Sequence, residues 1–158
     1  SVVWSITQVH GGSASNIIPA LVTLGGTIRT LSQPQHDKIK QRFEQIVTQT
    51  AQMLNATATI EFSDGYPVTC NTEQEARYCY DAASSLVGEA NAHWDAAPSM
   101  AAEDFSYMLQ ERPGAYIWIG NSALNHDKPL HNPHYDFNDN ILPLGASFWV
   151  RLVEQRCA

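Results

Sequence analysis

The sequence is poor in basic residues and contains no long apolar run. Nine lysines and arginines stand against 16 aspartates and glutamates, which gives a formal net charge of −7. Nucleic-acid-binding surfaces and polybasic membrane anchors both depend on an excess of positive charge. A membrane-spanning helix needs about 20 consecutive, mainly apolar residues, and no such stretch is present. We therefore expect neither a nucleic acid nor a membrane among the partners of this chain.

Cysteine is also scarce. The chain contains three, Cys70, Cys79 and Cys157, and an odd number cannot pair completely within one chain. This count argues against a disulfide scaffold and favours a reducing compartment. The first residues also lack the basic and apolar segments of a secretory signal. We therefore expect a cytoplasmic protein.

Three familiar catalytic signatures are missing as well. The glycine pairs Gly11-Gly12 and Gly25-Gly26 match neither fingerprint of phosphate-binding loops. The segment around Ser84-Ser85 lacks the pattern of a nucleophile elbow, and no two cysteines have C-x-x-C spacing. The sequence therefore gives no support to nucleotide binding, a serine nucleophile or a dithiol redox site.

The first 65 residues predict a sheet with a helix on one face. Residues 2–9 are β-rich, and residues 20–31 alternate between apolar and polar side chains, as a half-buried strand does. Gly25-Gly26 within the second strand predicts a bulge or a close backbone approach. Residues 34–54 have helical periodicity after a capping serine, Ser32, and residues 56–62 alternate again as a third strand. This order is part of a split βαβ layout.

The remaining residues, 66–158, have mainly helical periodicity after a break at residues 64–67. Capping signals at Thr72 and Ser99 predict one helix extending to about residue 92 and a second, shorter helix. Residues 115–120 form a nearly continuous apolar run, which is typical of a buried strand. A polar loop over residues 121–137 precedes a last helix capped by Asp139. The chain is thus predicted to have a mixed α/β (α+β) fold in two segments.

The polar loop contains the residue types that bind divalent metals. Imidazole and carboxylate groups at short spacing suit zinc, but polar loops also collect these residues simply because they are well solvated. Both interpretations stay open for the following side chains: His126, Asp127, His131, His134, Asp136 and Asp139.

Two further pairs are candidates for a functional site. Glu103 and Asp104 lie in the first turn of the predicted short helix, where the helix dipole alone favours acidic residues. Arg29 lies on the polar face of its strand and can bind a carboxylate with two parallel hydrogen bonds, although solvated strand arginines are commoner. Asn16 is either a binding residue or an ordinary turn residue.

Four segments of the chain occur in an order and spacing that identify a resemblance. They are residues 10–19 (HGGSASNIIP), 26–30 (GTIRT), 100–120 with MAAEDFS and PGAY, and 130–139 (LHNPHYDFND). Together they resemble the metal-dependent amidohydrolases that include hippurate hydrolase, N-acyl amino acid deacylases, carboxypeptidase G and the plant auxin-conjugate hydrolases. The resemblance implies the second half of a ferredoxin-like lid domain in residues 1–65. It also implies the C-terminal helices and strand of an α/β zinc-peptidase catalytic domain in residues 66–158.

The resemblance also implies roles for five residues. His131 matches a metal-ligand histidine, whereas His134 matches a variable position. Asn16 and Arg29 match lid residues that hold the carbonyl and the terminal carboxylate of the substrate, and in dimeric relatives the asparagine reaches the neighbouring subunit's site. Glu103 and Asp104 match a motif beside the metal cleft, where they would support the metal ligands without touching the metal.

The same resemblance implies a site with two divalent ions, most often zinc, with manganese or cobalt as alternatives. The remaining ligands and the glutamate general base belong to an N-terminal catalytic half that this sequence does not contain, so no catalytic residue is assigned here. We expect the chain to be the C-terminal part of a hydrolase of N-acyl amino acids, a homodimer through its lid, and inactive alone. The alternatives are a non-catalytic dimerisation module and a separate metal-binding protein that uses the polar loop.

Overall fold

The computed structural model describes residues 2–122 and 126–157, so residues 123–125 of the predicted polar loop lie outside it. The main elements, in chain order, are β1 (Val2–Gly11), β2 (Val22–Thr30), α1 (Gln33–Met53), α2 (Glu73–Val87), α3 (Phe105–Glu111) and α4 (Leu142–Cys157). The chain divides into two compact units. One comprises the chain up to Val68 together with Pro98–Ser106, and the other comprises Thr69–Ala97 and the chain from Tyr107 onward.

In the first unit, β1 and β2 form an antiparallel sheet with a bulge at its centre. Ile6 pairs with Gly26 and Gln8 pairs with Gly25, so the residue between Ile6 and Gln8 has no pairing partner on β2. A Cβ atom on Gly26 would overlap the carbonyl oxygen of Ser5. The two backbones approach closely at this point because glycine has no side chain. The predicted bulge at the glycine pair is confirmed.

Helix α1 begins as its sequence predicts. Ser32 is the N-cap, and its side chain accepts a hydrogen bond from the Gln35 amide at 3.4 Å. On the side of the helix that faces the sheet, the half-buried Phe43 ring lies edge-on to Trp4 of β1 at 4.8 Å and to Phe62 at 5.7 Å between centroids. Edge-to-face contacts of this kind stabilise packing beyond the area they bury.

The predicted strands over residues 56–62 and 115–120 were wrong. Within the described parts of the chain, β1 and β2 are the only paired strands. A segment becomes a strand only when a neighbouring strand completes its backbone hydrogen bonds, and no such neighbour is in place for these two segments. The alternation over 56–62 still reflects one-sided burial, because Ile60 and Phe62 are half-buried and Glu61 between them is exposed.

In the second unit, α2 and α4 pack together. Tyr78 of α2 lies under the guanidinium of Arg156 of α4 at 3.6 Å from the ring centroid. The buried apolar side chains of the described residues are Ala82 on α2 and Phe148 on α4, with 0% and 4% of their surface exposed. The packed core of this unit is therefore small.

The ends of the helices differ from their predicted positions. Helix α2 ends at Val87 because Gly88 takes a positive φ of 80°, and a short 3-10 turn over Glu89–Asn91 replaces the predicted last turns. Thr72 occupies the N-cap position, but its hydroxyl accepts the Gly114 amide and no amide of its own helix. Ser99 accepts the Ala101 amide in a local turn, and α3 begins only at Phe105.

The chain exposes a large surface for its mass. Its accessible area is 12522 Å², whereas two separate compact domains sharing its 17.5 kDa would together expose about 9,500 Å². Large apolar side chains contribute to this exposed surface, for example Ile18 at 94% and Leu21 at 76% exposure. No helix among the described residues is long and apolar enough to cross a membrane.

Candidate functional site

His131 lies in a tight turn with an unusual backbone conformation. Its φ is 69°, in the left-handed region that most side chains avoid. The turn is closed by a hydrogen bond of 3.1 Å from the Asn132 amide to the Pro129 carbonyl. The imidazole is exposed. Because strained backbone of this kind concentrates at functional sites, the conformation marks His131 as a candidate ligand.

The residues after His131 continue the hydrogen-bonded turn. The Asn132 side chain accepts the His134 amide at 2.9 Å, and the Asn132 carbonyl accepts the Tyr135 amide at 2.9 Å. The Tyr135 hydroxyl in turn accepts the Asn121 side-chain amide at 2.7 Å. The turn that presents His131 is therefore tied to residues outside the LHNPHYDFND segment. Neither Asn121 nor Tyr135 stands out in the sequence as a functional residue, although Asn121 directly follows the apolar run over 115–120.

The histidines and acids of the polar loop do not gather around one point. Among the residues that the structure describes, no three His, Cys, Asp or Glu side chains are placed to share a metal ion. The His126 ring instead lies beside Asp136, with Nδ1 at 3.1 Å from the backbone oxygen and 3.4 Å from a carboxylate oxygen. A structural zinc site takes four ligands and a catalytic one takes three from the protein. The described residues therefore do not form a complete zinc site by themselves, and His131, which is exposed, can contribute only part of one.

Glu103 and Asp104 precede α3 and do not lie in its first turn, which corrects the predicted placement. The Glu103 carbonyl accepts the Ser106 amide at 3.2 Å and also the Ser106 hydroxyl. Ser106 is fully buried, and these two bonds fix the start of the helix. Glu103 is half-buried and Asp104 is exposed.

Arg29 and Asn16 both lie in the first unit. Arg29 is near the end of β2, opposite Val3 of β1, and its Nη1 donates to the Met100 carbonyl at 2.8 Å. The bond joins the sheet to the Pro98–Ser106 segment, which also contains Glu103 and Asp104. Asn16 lies in an exposed turn between the two strands. The structure thus brings Arg29 together with the acidic segment, whereas His131 belongs to the second unit.

An open apolar cavity of about 590 Å³ lies in the second unit. Its walls include Ile119, Leu130, Phe137 and, from α4, Leu142 and Trp149. Trp149 has 63% of its surface exposed, and Leu142 57%. An open wall of large apolar side chains suits packing against protein better than binding of a small polar substrate.

Comparison with known proteins gives a consistent family for nearly the whole chain. Residues 6–155 match the model of peptidase family M20/M25/M40. The IAA-amino acid hydrolase ILR1-like 4 of Arabidopsis thaliana is 32% identical over 93% of this chain and 34% of its own length. The hippurate hydrolase of Campylobacter jejuni is 31% identical over 96% of this chain and 39% of its own length.

A solved structure supports the same fold. The YXEP protein of Bacillus subtilis, described as a dinuclear metal-binding peptidase of the M20 family, superposes with a TM-score of 0.83 at 23% identity. The alignment covers 96% of this chain and 40% of that protein. This chain thus spans little more than a third of the length of the relatives it matches. By its sequence match over residues 6–155, the chain belongs to peptidase family M20/M25/M40.

Proposed function

We propose that this chain is the C-terminal part of a metal-dependent hydrolase that cleaves the amide bond of N-acyl amino acids. We call that complete hydrolase the parent enzyme. The observation that carries the proposal is His131, which lies within the family match and is held in a left-handed turn that exposes its imidazole. Relatives named as hydrolases of IAA-amino acids and of hippurate support the class of substrate, since both names denote an acyl group joined to an amino acid.

In this proposal His131 provides one ligand to a centre of two divalent ions, which we take to be zinc. Zinc binds imidazole nitrogen readily, and the other ligands would come from the rest of the parent enzyme. When bound, such ions provide a Lewis acid and an activated water for amide hydrolysis. The dinuclear centre named for the YXEP protein supports this stoichiometry.

Arg29 and Asn16 are proposed to bind the substrate. The bond to Met100 occupies one N–H of the Arg29 guanidinium, which has five N–H donors in all. The others can form the paired bonds that a terminal carboxylate accepts. Asn16 is exposed in its turn and can donate to a carbonyl across a subunit interface. Glu103 and Asp104, in the segment that Arg29 contacts, are proposed to support the site without touching the metal.

The isolated chain is proposed to be inactive and to associate through its exposed apolar surface. Without the ligands that the rest of the parent enzyme would provide, the imidazole of His131 cannot hold two ions by itself. Apolar side chains such as Ile18 and Trp149 favour contact with further protein, in the parent enzyme and between lid domains of a homodimer. The three cysteines are free thiols in the structure, which suits the cytoplasm as the proposed location. The alternative is a non-catalytic dimerisation module. It predicts that the chain associates with itself and that the complete protein has no hydrolase activity.

The test is a pair of histidine variants in the parent enzyme. His131→Gly removes the imidazole but suits a φ of 69°, so folding should be preserved. We expect this variant to lose bound zinc and N-acyl amino acid hydrolysis while its melting temperature stays within a few degrees of the original. His134→Ala, three residues along, is the matched control and should keep both metal and activity. Normal zinc content in His131→Gly, or equal losses in both variants, would show that the assignment is wrong.

A further inference from the structure

The Asn121 side chain, at the start of the polar loop, makes two hydrogen bonds to residues at the end of the loop. Its Oδ1 accepts the Asn138 amide at 2.9 Å, and its Nδ2 donates to the Tyr135 hydroxyl at 2.7 Å. The orientation of the amide group follows from chemistry, because a backbone N–H can only donate. Oδ1 must therefore face Asn138, and Nδ2 is left for the hydroxyl. Both bonds are partly shielded from water, and Asn138 has only 6% of its surface exposed.

The Asn138 bond closes the neck of the loop. Asn138 also caps the 3-10 turn Asp139–Ile141, which leads into α4, by accepting the Asn140 amide at 3.2 Å. Asn121 therefore fastens the beginning of the loop to the start of a packed helix.

The Tyr135 bond reaches the turn that presents His131. From Asn121 the connection runs to the Tyr135 hydroxyl and from the Tyr135 amide to the Asn132 carbonyl. Asn132 directly follows His131 and closes the turn through its own amide to Pro129. A left-handed conformation is sparsely populated even for histidine, and surrounding bonds can hold a residue in it. The Asn121–Tyr135 and Tyr135–Asn132 bonds hold the residues that directly follow His131.

We propose that Asn121, acting through Tyr135, is a positioning residue that holds the backbone turn carrying His131 in place, and thereby sets where the imidazole can meet a metal ion. The inference depends on the proposed function, since it assumes that His131 is a ligand. Groups that orient a metal ligand without touching the metal typically change metal affinity about 10- to 100-fold when they are replaced. The Asn121–Tyr135 pair should have an effect of that size.

The experiment measures zinc affinity of the parent enzyme by competition with a chelating indicator, at a temperature well below melting. Tyr135→Phe removes one oxygen and keeps the ring, and Asn121→Leu removes both bonds at similar volume. We expect each to weaken zinc binding about tenfold or more and to speed zinc release. Asn121→Asp, in contrast to Asn121→Leu, should keep zinc affinity close to that of the unchanged enzyme, because a carboxylate can accept hydrogen bonds from both the Asn138 amide and the Tyr135 hydroxyl. Tyr78→Phe, which removes the same atom from α2, should leave affinity unchanged.

The result that overturns the inference is a lower melting temperature with unchanged zinc affinity in Tyr135→Phe and Asn121→Leu. Tyr135→Phe decides the matter by itself if Asn121→Leu does not fold. His131→Gly, measured beside them, separates this failure from a failure of the proposed function. Loss of zinc in His131→Gly with normal affinity in Tyr135→Phe overturns only the positioning role. Normal zinc binding in His131→Gly overturns both.

Discussion

The side chain of Asn71 pairs with the backbone of Tyr116 through two hydrogen bonds. Asn71 Oδ1 accepts the Tyr116 amide at 2.8 Å, and Asn71 Nδ2 donates to the Tyr116 carbonyl at 2.9 Å. The amide group thus satisfies both polar groups of one residue, as a neighbouring strand would do in a sheet. The contact anchors the apolar run over 115–120 beside the start of α2.

Asn71→Ala should therefore destabilise the second unit. It removes two hydrogen bonds, each of which contributes about 0.5–1.5 kcal/mol net to the free energy of unfolding. Because both bonds are exposed to water, we expect a loss in the lower part of that range, about 1–2 kcal/mol in all. Denaturant unfolding of the chain would measure the change. Asn91→Ala, which removes a single side-chain bond to the Val87 carbonyl, is the control and should cost less. An equal loss in both variants would contradict the special role of Asn71.

Gly26→Ala should destabilise the sheet through the close approach at the bulge. The added methyl overlaps the Ser5 carbonyl, which is backbone and cannot turn aside. Overpacking of this kind typically costs about 1–3 kcal/mol. Gly65→Ala is the matched control, because a Cβ there meets nothing within 4 Å, and it should stay within about 0.5 kcal/mol. Unchanged stability of Gly26→Ala in thermal unfolding would mean that the bulge relaxes easily.

Arg29→Ala in the parent enzyme should weaken binding of substrates that carry a free carboxylate. A lost charge-assisted bond costs about 1.5–3 kcal/mol, which corresponds to a rise in KM of roughly 10- to 150-fold. An amide-capped analogue should show little change, because it lacks the charge that the guanidinium binds. Arg112→Ala, which also removes a guanidinium bonded to a backbone carbonyl, should leave both values unchanged. A lower melting temperature with unaltered KM would assign Arg29 to folding through its bond to Met100.

Asn16→Ala should impair the site of the neighbouring subunit if the parent enzyme is a homodimer that shares this residue. Homodimers of Asn16→Ala and of His131→Gly should each be inactive. Mixed and allowed to exchange subunits, they should regain about a quarter of normal activity, because half of the dimers are mixed and each mixed dimer has one intact site. Light scattering would confirm that the dimers form. No recovery from mixed dimers would place Asn16 in its own subunit's site or outside any site.

Cys79 should react with thiol reagents more slowly than the other two cysteines. Burial raises the pKa of the Cys79 thiol, and the nearby Glu75 carboxylate raises that pKa further. Less of the thiol is therefore ionised at any given pH, and the thiolate is the reactive form. Cys70 and Cys157 are exposed. Labelling followed by peptide mass analysis at pH 8 should find Cys79 modified last, and denaturant should remove the difference.

Local sequence signals predicted the elements whose causes are local. The Ser32 cap, the bulge at Gly25-Gly26 and the three long helices follow from side chains within a few residues of each feature. The runs over 56–62 and 115–120 were wrongly predicted as strands, because alternation and apolar character report burial and do not provide a pairing partner. The end of α2 was missed because nothing in the helical periodicity marks Gly88 as the residue that turns to positive φ.

In the candidate site, too, local features could be predicted from the sequence and contacts between distant residues could not. His131 could be singled out from its motif, and no periodicity or composition distinguished it from His126 or His134. The bond that ties this turn to Asn121 joins residues 14 apart, and periodicity does not indicate such a contact. The bond from Arg29 to Met100 spans 71 positions, so no local pattern could indicate it.

The φ of 69° at residue 131 also limits which amino acids natural variation can place there. Glycine, asparagine, aspartate and histidine tolerate this conformation far better than branched or bulky residues do. Zinc takes nitrogen, thiolate or carboxylate ligands, so only histidine and aspartate satisfy the backbone and the proposed ion together. Glutamate and cysteine, although good ligands elsewhere, should be selected against at this position. The turn and the metal thus jointly determine which amino acids are tolerated at residue 131. Random mutagenesis of this position with selection for activity should recover only histidine and aspartate.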